Sequence, residues 1–169
     1  MGAPVTGSVR VRELRPGEFD VLDAVFAGLS PTSRYQRFHA GIPQLTPQAR
    51  ERLAAVDGRT HLAVAAFAGA TPIGIARLIL VGNCRAELAV EVVDTWQQRG
   101  IGTRMVRAVA ELGASAGIRT VEADVLAENI SAQVVFASVF PNLEFTQNGP
   151  VIRFTAAVTG LSRSERRSA

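Results

Sequence analysis

Two carboxylates and a pair of glycines carry most of the chemistry available to this sequence. Glu87 and Glu91 lie in an otherwise apolar run, Ala86-Glu-Leu-Ala-Val-Glu-Val-Val93. Carboxylates in such surroundings are general-base candidates, because desolvation makes a carboxylate a stronger base. Gly100 and Gly102 follow in Gln97-Gln-Arg-Gly-Ile-Gly102. Beyond them Met105, Ala108, Val109 and Leu112 recur at helical spacing, with Arg104, Arg107 and Glu111 on the other face. A β-branched run, a glycine turn and an amphipathic helix in succession bring free backbone N–H groups and the positive helix end to one point, which is an anion site. The turn lacks the Gly-Lys-Ser/Thr ending of a P-loop, and the chain contains no lysine. Met105 stands where the dinucleotide fingerprint G-x-G-x-x-G needs its third glycine.

The elements that must position these residues can be read in chain order. Val9 to Leu14 alternates as a strand with one wet face. Phe19, Leu22, Val25, Phe26 and Leu29 keep helical spacing from Glu18 to Leu29, and Ser30-Pro31 then supplies an N-cap and a first helical residue. Read as a helix, Thr32 to His39 sets Arg34, Arg37 and Phe38 one turn apart, with Tyr35 beside His39. Thr46-Pro47 opens a third helix with Leu53 and Val56 inward, closing at Gly58. His61 to Ala68 and Ile73 to Leu80 form an antiparallel hairpin across Gly69-Ala70-Thr71-Pro72. The strand carrying Glu87 and Glu91 comes next, broken at Asp94 and Thr95. Its helix is capped at Gly117, and Thr120 to Val125 is a further strand. Glu128 to Ser131 leads into a helix carrying Val134, Val135 and Val139, stopped at Pro141-Asn142. Residues 143 to 146 and 151 to 158 make a last hairpin.

At 169 residues, with 47% hydrophobic content, the chain fits one domain with a real core. The expected division is a single domain over 9–158 with flexible tails at 1–8 and 159–169. No run of eighteen apolar residues and no signal-peptide layout is present, so the chain reads as cytoplasmic and away from membranes. Cys84 is the only cysteine, which excludes an intramolecular disulfide and a cysteine-based metal cluster. His39 and His61 lack metal-ligand spacing, so no metal is expected. A net charge of +3, carried by arginine and interleaved with acidic residues, argues against nucleic acid. Basic residues cluster only at Arg163, Arg166 and Arg167, read as a solvated tail.

Gln97-x-x-Gly100-x-Gly102, placed between a strand that opens Ala-Glu-Leu and an amphipathic helix, resembles the coenzyme A pyrophosphate loop of the GNAT superfamily of N-acetyltransferases. The phrase Leu29-Ser-Pro-x-Ser33-x-Tyr35-x-Arg37-Phe38 resembles the first helical pair of the bacterial protein-lysine acetyltransferases of that group. The resemblance covers residues 9 to 158. It implies the GNAT fold, an α+β (α/β) architecture with a mixed, mostly antiparallel sheet of six to seven strands flanked by helices. It also implies acetyl-CoA as co-substrate and an amine as acceptor. Glu87 would be the general base, through a water or directly, and Glu91 a substrate-side carboxylate. Residues four apart share a strand face, but the resemblance also implies a bulge in this strand, which would turn Glu91 to the other face.

By the same resemblance, the main chain of Val92 and Val93 pairs with the pantetheine arm. Backbone amides from Gln98 through Arg99, Gly100, Ile101 and Gly102 to Thr103 hold the pyrophosphate beside Gln97, with Arg99 and Arg104 adding charge. Asn129 matches the family's pantetheine-contacting asparagine, or is a helix cap. One departure stands out: Phe136 occupies the position, seven after that asparagine, where many members carry a tyrosine that protonates the leaving thiolate. The expected function is acetyl transfer to a primary amine, with a protein lysine favoured. A small-molecule amine, or acyl-CoA sensing without catalysis, is the alternative, in a monomer or homodimer.

Overall fold

The computed structural model describes residues 7–158, and the expected tails at 1–8 and 159–169 lie outside them except for Gly7 and Ser8. Strand β1 (Val9–Glu13) is followed by helices α1 (Phe19–Ala27), α2 (Pro31–Phe38) and α3 (Pro47–Ala54). Three strands come next, β2 (His61–Ala68), β3 (Thr71–Gly82) and β4 (Arg85–Val92), and a 3-10 turn over Asp94–Trp96 leads to α4 (Ile101–Ser115). The chain then runs through β5 (Thr120–Leu126), α5 (Ile130–Val139), β6 (Glu144–Asn148) and β7 (Val151–Ala157). The strands form one seven-stranded sheet in the order β1-β2-β3-β4-β5-β7-β6. Every pairing is antiparallel except β4 with β5.

Alternation along β2 divides the core. Leu62, Val64, Ala66 and Ala68 join the larger cluster, which includes Met105, Val106, Val109 and Ala110 of α4. Ala63, Ala65 and Phe67 face the other way, onto Val21, Leu22 and Val25 of α1. All eight residues of β2 are therefore buried, as expected of a strand covered on both faces. The buried face of α4 is rotated from the one read in the sequence: Met105 and Val109 are buried, but so are Val106, Ala110 and Gly113, while Ala108 and Leu112 are only partly covered. Close approach at Gly113 sets this rotation, since a Cβ there would lie 2.6 Å from Leu78 Cδ1. At the end of α4, Gly117 takes φ +92° and Ile118 N–H donates to Gly113 O, the 6→1 bond of a Schellman ending. On α5 the expected valine stripe is displaced as well. Val134 is exposed, and Phe136 and Val139 are the buried residues.

The parallel pairing of β4 with β5 spans only Arg85–Glu87 against Thr120–Glu122. Beyond Glu87 the two strands part. No bulge causes this: β4 keeps unbroken register with β3 from Ala86 to Val92, and the one irregularity lies at Leu80/Gly82. Glu87 and Glu91 thus stay on the same face, which corrects the bulged strand that the family resemblance implies.

Candidate active site

The parted strands open a cleft of about 690 Å³ between β4, β5, α2, the start of α4 and the start of α5. Parity along β4 decides what faces it. Val93 N–H donates to Ile73 O at 2.9 Å, so residues at odd positions bond to β3. The main-chain groups of Val90 and Val92 therefore turn toward the cleft, where β5 has left the ladder. Val92 is an open strand edge as the resemblance requires. Val93 is not, because its N–H is committed to β3 and its side chain packs against Gly28, where a Cβ would lie 2.6 Å from Val93 Cγ1.

At the cleft's other wall the chain passes from the 3-10 turn into α4. Gln98 (φ +58°) and Gly100 (φ +77°) take left-handed conformations, which fold the loop back beneath the helix. Gly100 is the N-cap residue and makes no side-chain cap. The first main-chain bond after the loop is Arg104 N–H to Gly100 O, so the amides of Gln98, Arg99, Gly100, Ile101, Gly102 and Thr103 donate to no protein acceptor among the described residues. Six orphan donors at a helix N-terminus form a cradle for a phosphate-like anion. A cleft with an open strand edge at one wall and this cradle at the next fits an elongated ligand carrying amides and a pyrophosphate.

The side chains expected to add to this cradle are less uniform. Gln97, Gln98, Gly100, Ile101, Gly102 and Thr103 line the cleft. The Gln97 amide, however, donates to Val92 O at 3.0 Å and to Ser33 Oγ at 3.2 Å. Arg99 lies over the Trp96 ring at 4.8 Å. Arg104 points away and donates to Val9 O at 2.9 Å, so its charge serves the β1 edge. Asn129 lines the cleft and also caps α5, its Oδ1 accepting from Ala132 N–H at 3.2 Å. The two readings of Asn129 are compatible, since the cap leaves its side-chain NH₂ free.

The two carboxylates differ sharply although they share a face. Glu87 is exposed in the cleft, which corrects the desolvated setting expected from its apolar run, and it has no ion-pair or hydrogen-bond partner among the described residues. Its register neighbours are Ile79 on β3 and Glu122 on β5. Glu91 has a side chain 4% exposed and accepts from Arg37 Nε at 2.6 Å. An unpaired carboxylate at the mouth can take a proton, whereas one clamped by a guanidinium in a dry setting serves as an anchor. Phe136 is buried against Phe154 with ring centroids 6.0 Å apart, so this position offers no hydroxyl.

Sequence reasoning missed Arg77. It is 1% exposed on β3, and its Nη1 donates to Leu53 O at 2.8 Å and faces His61 Nε2 at 3.0 Å. Nη2 has no hydrogen-bond partner. Burial pulls the Arg77 guanidinium down to about 10, opposed by the charge of Glu91, so it remains charged at neutral pH. Burial and the Arg77 charge together push His61 down to about 4. A lone arginine inside an apolar strand, Ile73-Gly-Ile-Ala-Arg-Leu-Ile-Leu80, was the available signal. Among the described residues no three His, Cys, Asp or Glu side chains assemble as a metal site, and no helix is long and apolar enough to cross a membrane.

Comparison with known proteins agrees with this geometry. Residues 24–139 match the model of the acetyltransferase (GNAT) family. Among solved structures, the GNAT domain of S. lividans PAT superposes with a TM-score of 0.82 at 25% identity, covering 89% of this chain and 91% of that one. A spermidine N-acetyltransferase from Vibrio cholerae, solved with CoA and spermine, gives 0.69 at 13% identity over 90% and 97%. A cAMP-binding acyltransferase from Mycobacterium smegmatis gives 0.63 at 22% identity, where the chain covers 45% of that protein. None of the curated proteins matches. With the family model spanning more than half of its length, an open β4 edge and an amide cradle at α4, the chain belongs to the GNAT family of N-acetyltransferases.

Proposed function

We propose that this protein transfers an acetyl group from acetyl-CoA to a primary amine, with a protein lysine as the favoured acceptor. The observation that carries the coenzyme half is the run of unpartnered amides from Gln98 to Thr103 beside the open main chain of Val90 and Val92. In this reading acetyl-CoA supplies the activated thioester, and the chain supplies its placement. The cradle takes the pyrophosphate, the β4 edge takes the pantetheine amides, and Asn129 steadies the arm through its free NH₂.

The acceptor arrives protonated. A lysine-like amine has pKa about 10.4, so at pH 7 only about one molecule in a few thousand is neutral and nucleophilic. Recovering that fraction is worth about 4–5 kcal/mol, which is the task of a base. That Glu87 is unpaired and exposed on the cleft wall beside the open edge supports it in this role. It would draw the ammonium proton directly or through a water. With Phe136 in place of a tyrosine, the thiolate leaves without a side-chain acid at that position. A thiol pKa near that of cysteine, about 8.5, makes this affordable.

Protein lysine is preferred over a small amine because of the Leu29–Phe38 phrase and the likeness to the PAT domain. The small-amine alternative draws on the likeness to the spermidine enzyme, which is one of fold. A free-thiol assay with acetyl-CoA against lysine peptides, intact proteins and small amines such as spermidine separates them. Turnover on peptides or proteins above that on small amines is expected. Turnover on small amines alone would overturn the lysine preference, and coenzyme binding without thiol release over every acceptor would favour a sensor.

A further inference from the structure

Helix α2 and its C-cap line the cleft through Gln36, Arg37, Phe38 and His39, on the wall that the proposed function gives to the acceptor, yet none of the helix's residues is buried. What holds it is largely polar, and three of its tethers end on one short stretch of chain. Ser30 N–H, at its cap, donates to Asp94 Oδ1 at 3.1 Å. Ser33 Oγ accepts from Gln97 Nε2 at 3.2 Å. Arg37 Nε donates to Glu91 Oε2 at 2.6 Å. The same segment, 91–97, carries the open edge of β4 into the coenzyme loop.

Gln97 is the tether that a ligand would meet. Its side-chain amide is shared among Ser33 Oγ, Val92 O at 3.0 Å and, more weakly, Asp94 Oδ1 at 3.5 Å. Parity turns Val92 O toward the cleft, so the amide caps the main-chain edge along which an incoming strand-like ligand must lie. A ligand whose own amide donates to that edge competes with Gln97 for the carbonyl and for the space beside it.

We propose that Gln97 is a positioning residue for the acceptor wall: in the free protein it ties α2 to the open end of β4, and a coenzyme arm laid along that edge displaces it and loosens α2. Coenzyme occupancy is thereby linked to the freedom of the acceptor wall, and by reciprocity acceptor contacts on α2 act back on the coenzyme. This rests on the acetyl-CoA reading of the cleft.

The test uses CoA itself as probe, with hydrogen–deuterium exchange read on the peptide spanning α2 and calorimetry in parallel. In the native protein, saturating CoA is expected to speed α2 exchange at least threefold. Ser33→Ala removes the α2 end of the tether and the Ser30 Oγ–Ser33 Oγ contact of 3.2 Å, but keeps the helix cap, because Ser30 Oγ accepts from Ser33 N–H. That variant is expected to exchange faster in α2 without ligand, to lose the response and, by the same reciprocity, to bind CoA about threefold more tightly than the native protein. Gln97→Ala is expected to lose the response too. Calorimetric binding of CoA with no change in α2 of the native protein would overturn the proposal, as would a native-like response in Ser33→Ala. Absence of calorimetric binding would overturn the coenzyme reading, and the coupling with it.

Discussion

Glu87 and Glu91 are equivalent by composition and by strand parity, yet their partners give them opposite duties. Glu87 is free at the cleft, so Glu87→Gln should lower kcat/KM for the amine by about 10²-fold or more while the fold is kept, as expected for loss of a general base. Rates measured across pH 6 to 9 check this, and undiminished turnover would remove Glu87 from the mechanism. Glu91 compensates two arginines, Arg37 in direct contact and Arg77 through its charge. Glu91→Gln leaves both uncompensated in a dry site and should cost about 3 kcal/mol or more. Arg37→Met should cost less, because Arg77 still balances the carboxylate. Denaturant titration of the two variants reads the difference. The sequence exposed the two glutamates as an anomaly in an apolar run, but not their division of labour. That division depends on Arg37, which lies more than fifty residues earlier in the chain.

The elements around the cleft were legible wherever local chemistry fixes them. Ser30-Pro31 and Thr46-Pro47 read directly as helix starts, and each hydroxyl does accept from the amide three residues on. The rotated faces of α4 and α5 were not legible, because they depend on which neighbour each helix meets: Leu78 at Gly113, and Phe154 at Phe136. The absent bulge was equally hidden, since the parting of β4 from β5 is a matter of register between strands distant in sequence. One glycine is critical to the open edge. A Cβ on Gly74, which pairs with Val92, would lie 2.9 Å from Glu91 O and 2.6 Å from Met105 Cε. The methionine end can yield, but the carbonyl belongs to β4. Gly74→Ala should therefore destabilise by about 1–3 kcal/mol and weaken CoA binding by displacing β4, read by thermal unfolding and calorimetry. Asn129→Ala should cost about 1 kcal/mol as a lost cap, and more in CoA affinity if its NH₂ meets the ligand.

For the molecule as a whole, the antiparallel sheet, the single parallel junction and the crossover through α4 follow from the alternation of apolar periods along the chain, and they put both halves of the chemistry at one split. The buried His61–Arg77 pair is a global liability in acid. His61 is held neutral, down at about 4, against an ordinary value of 6.5. Between these values the unfolded chain takes up a proton that the folded one refuses, so stability falls as pH drops from 6.5 toward 4, by roughly 3 kcal/mol in all. Urea unfolding at pH 7 and pH 5 should show the loss, and His61→Gln should flatten it. A native slope unchanged by that substitution would place the acid sensitivity elsewhere. Coenzyme binding rests on the cradle at Gln98–Thr103 and the edge beside it. It is tested most directly by calorimetric titration of the native protein with acetyl-CoA, followed in the same cell contents by thiol release on adding lysine peptides. Saturable binding is expected, weakened in Gly100→Ala, where a left-handed glycine is replaced, with thiol release that depends on the amine. Absence of binding to the native protein would contradict the coenzyme reading.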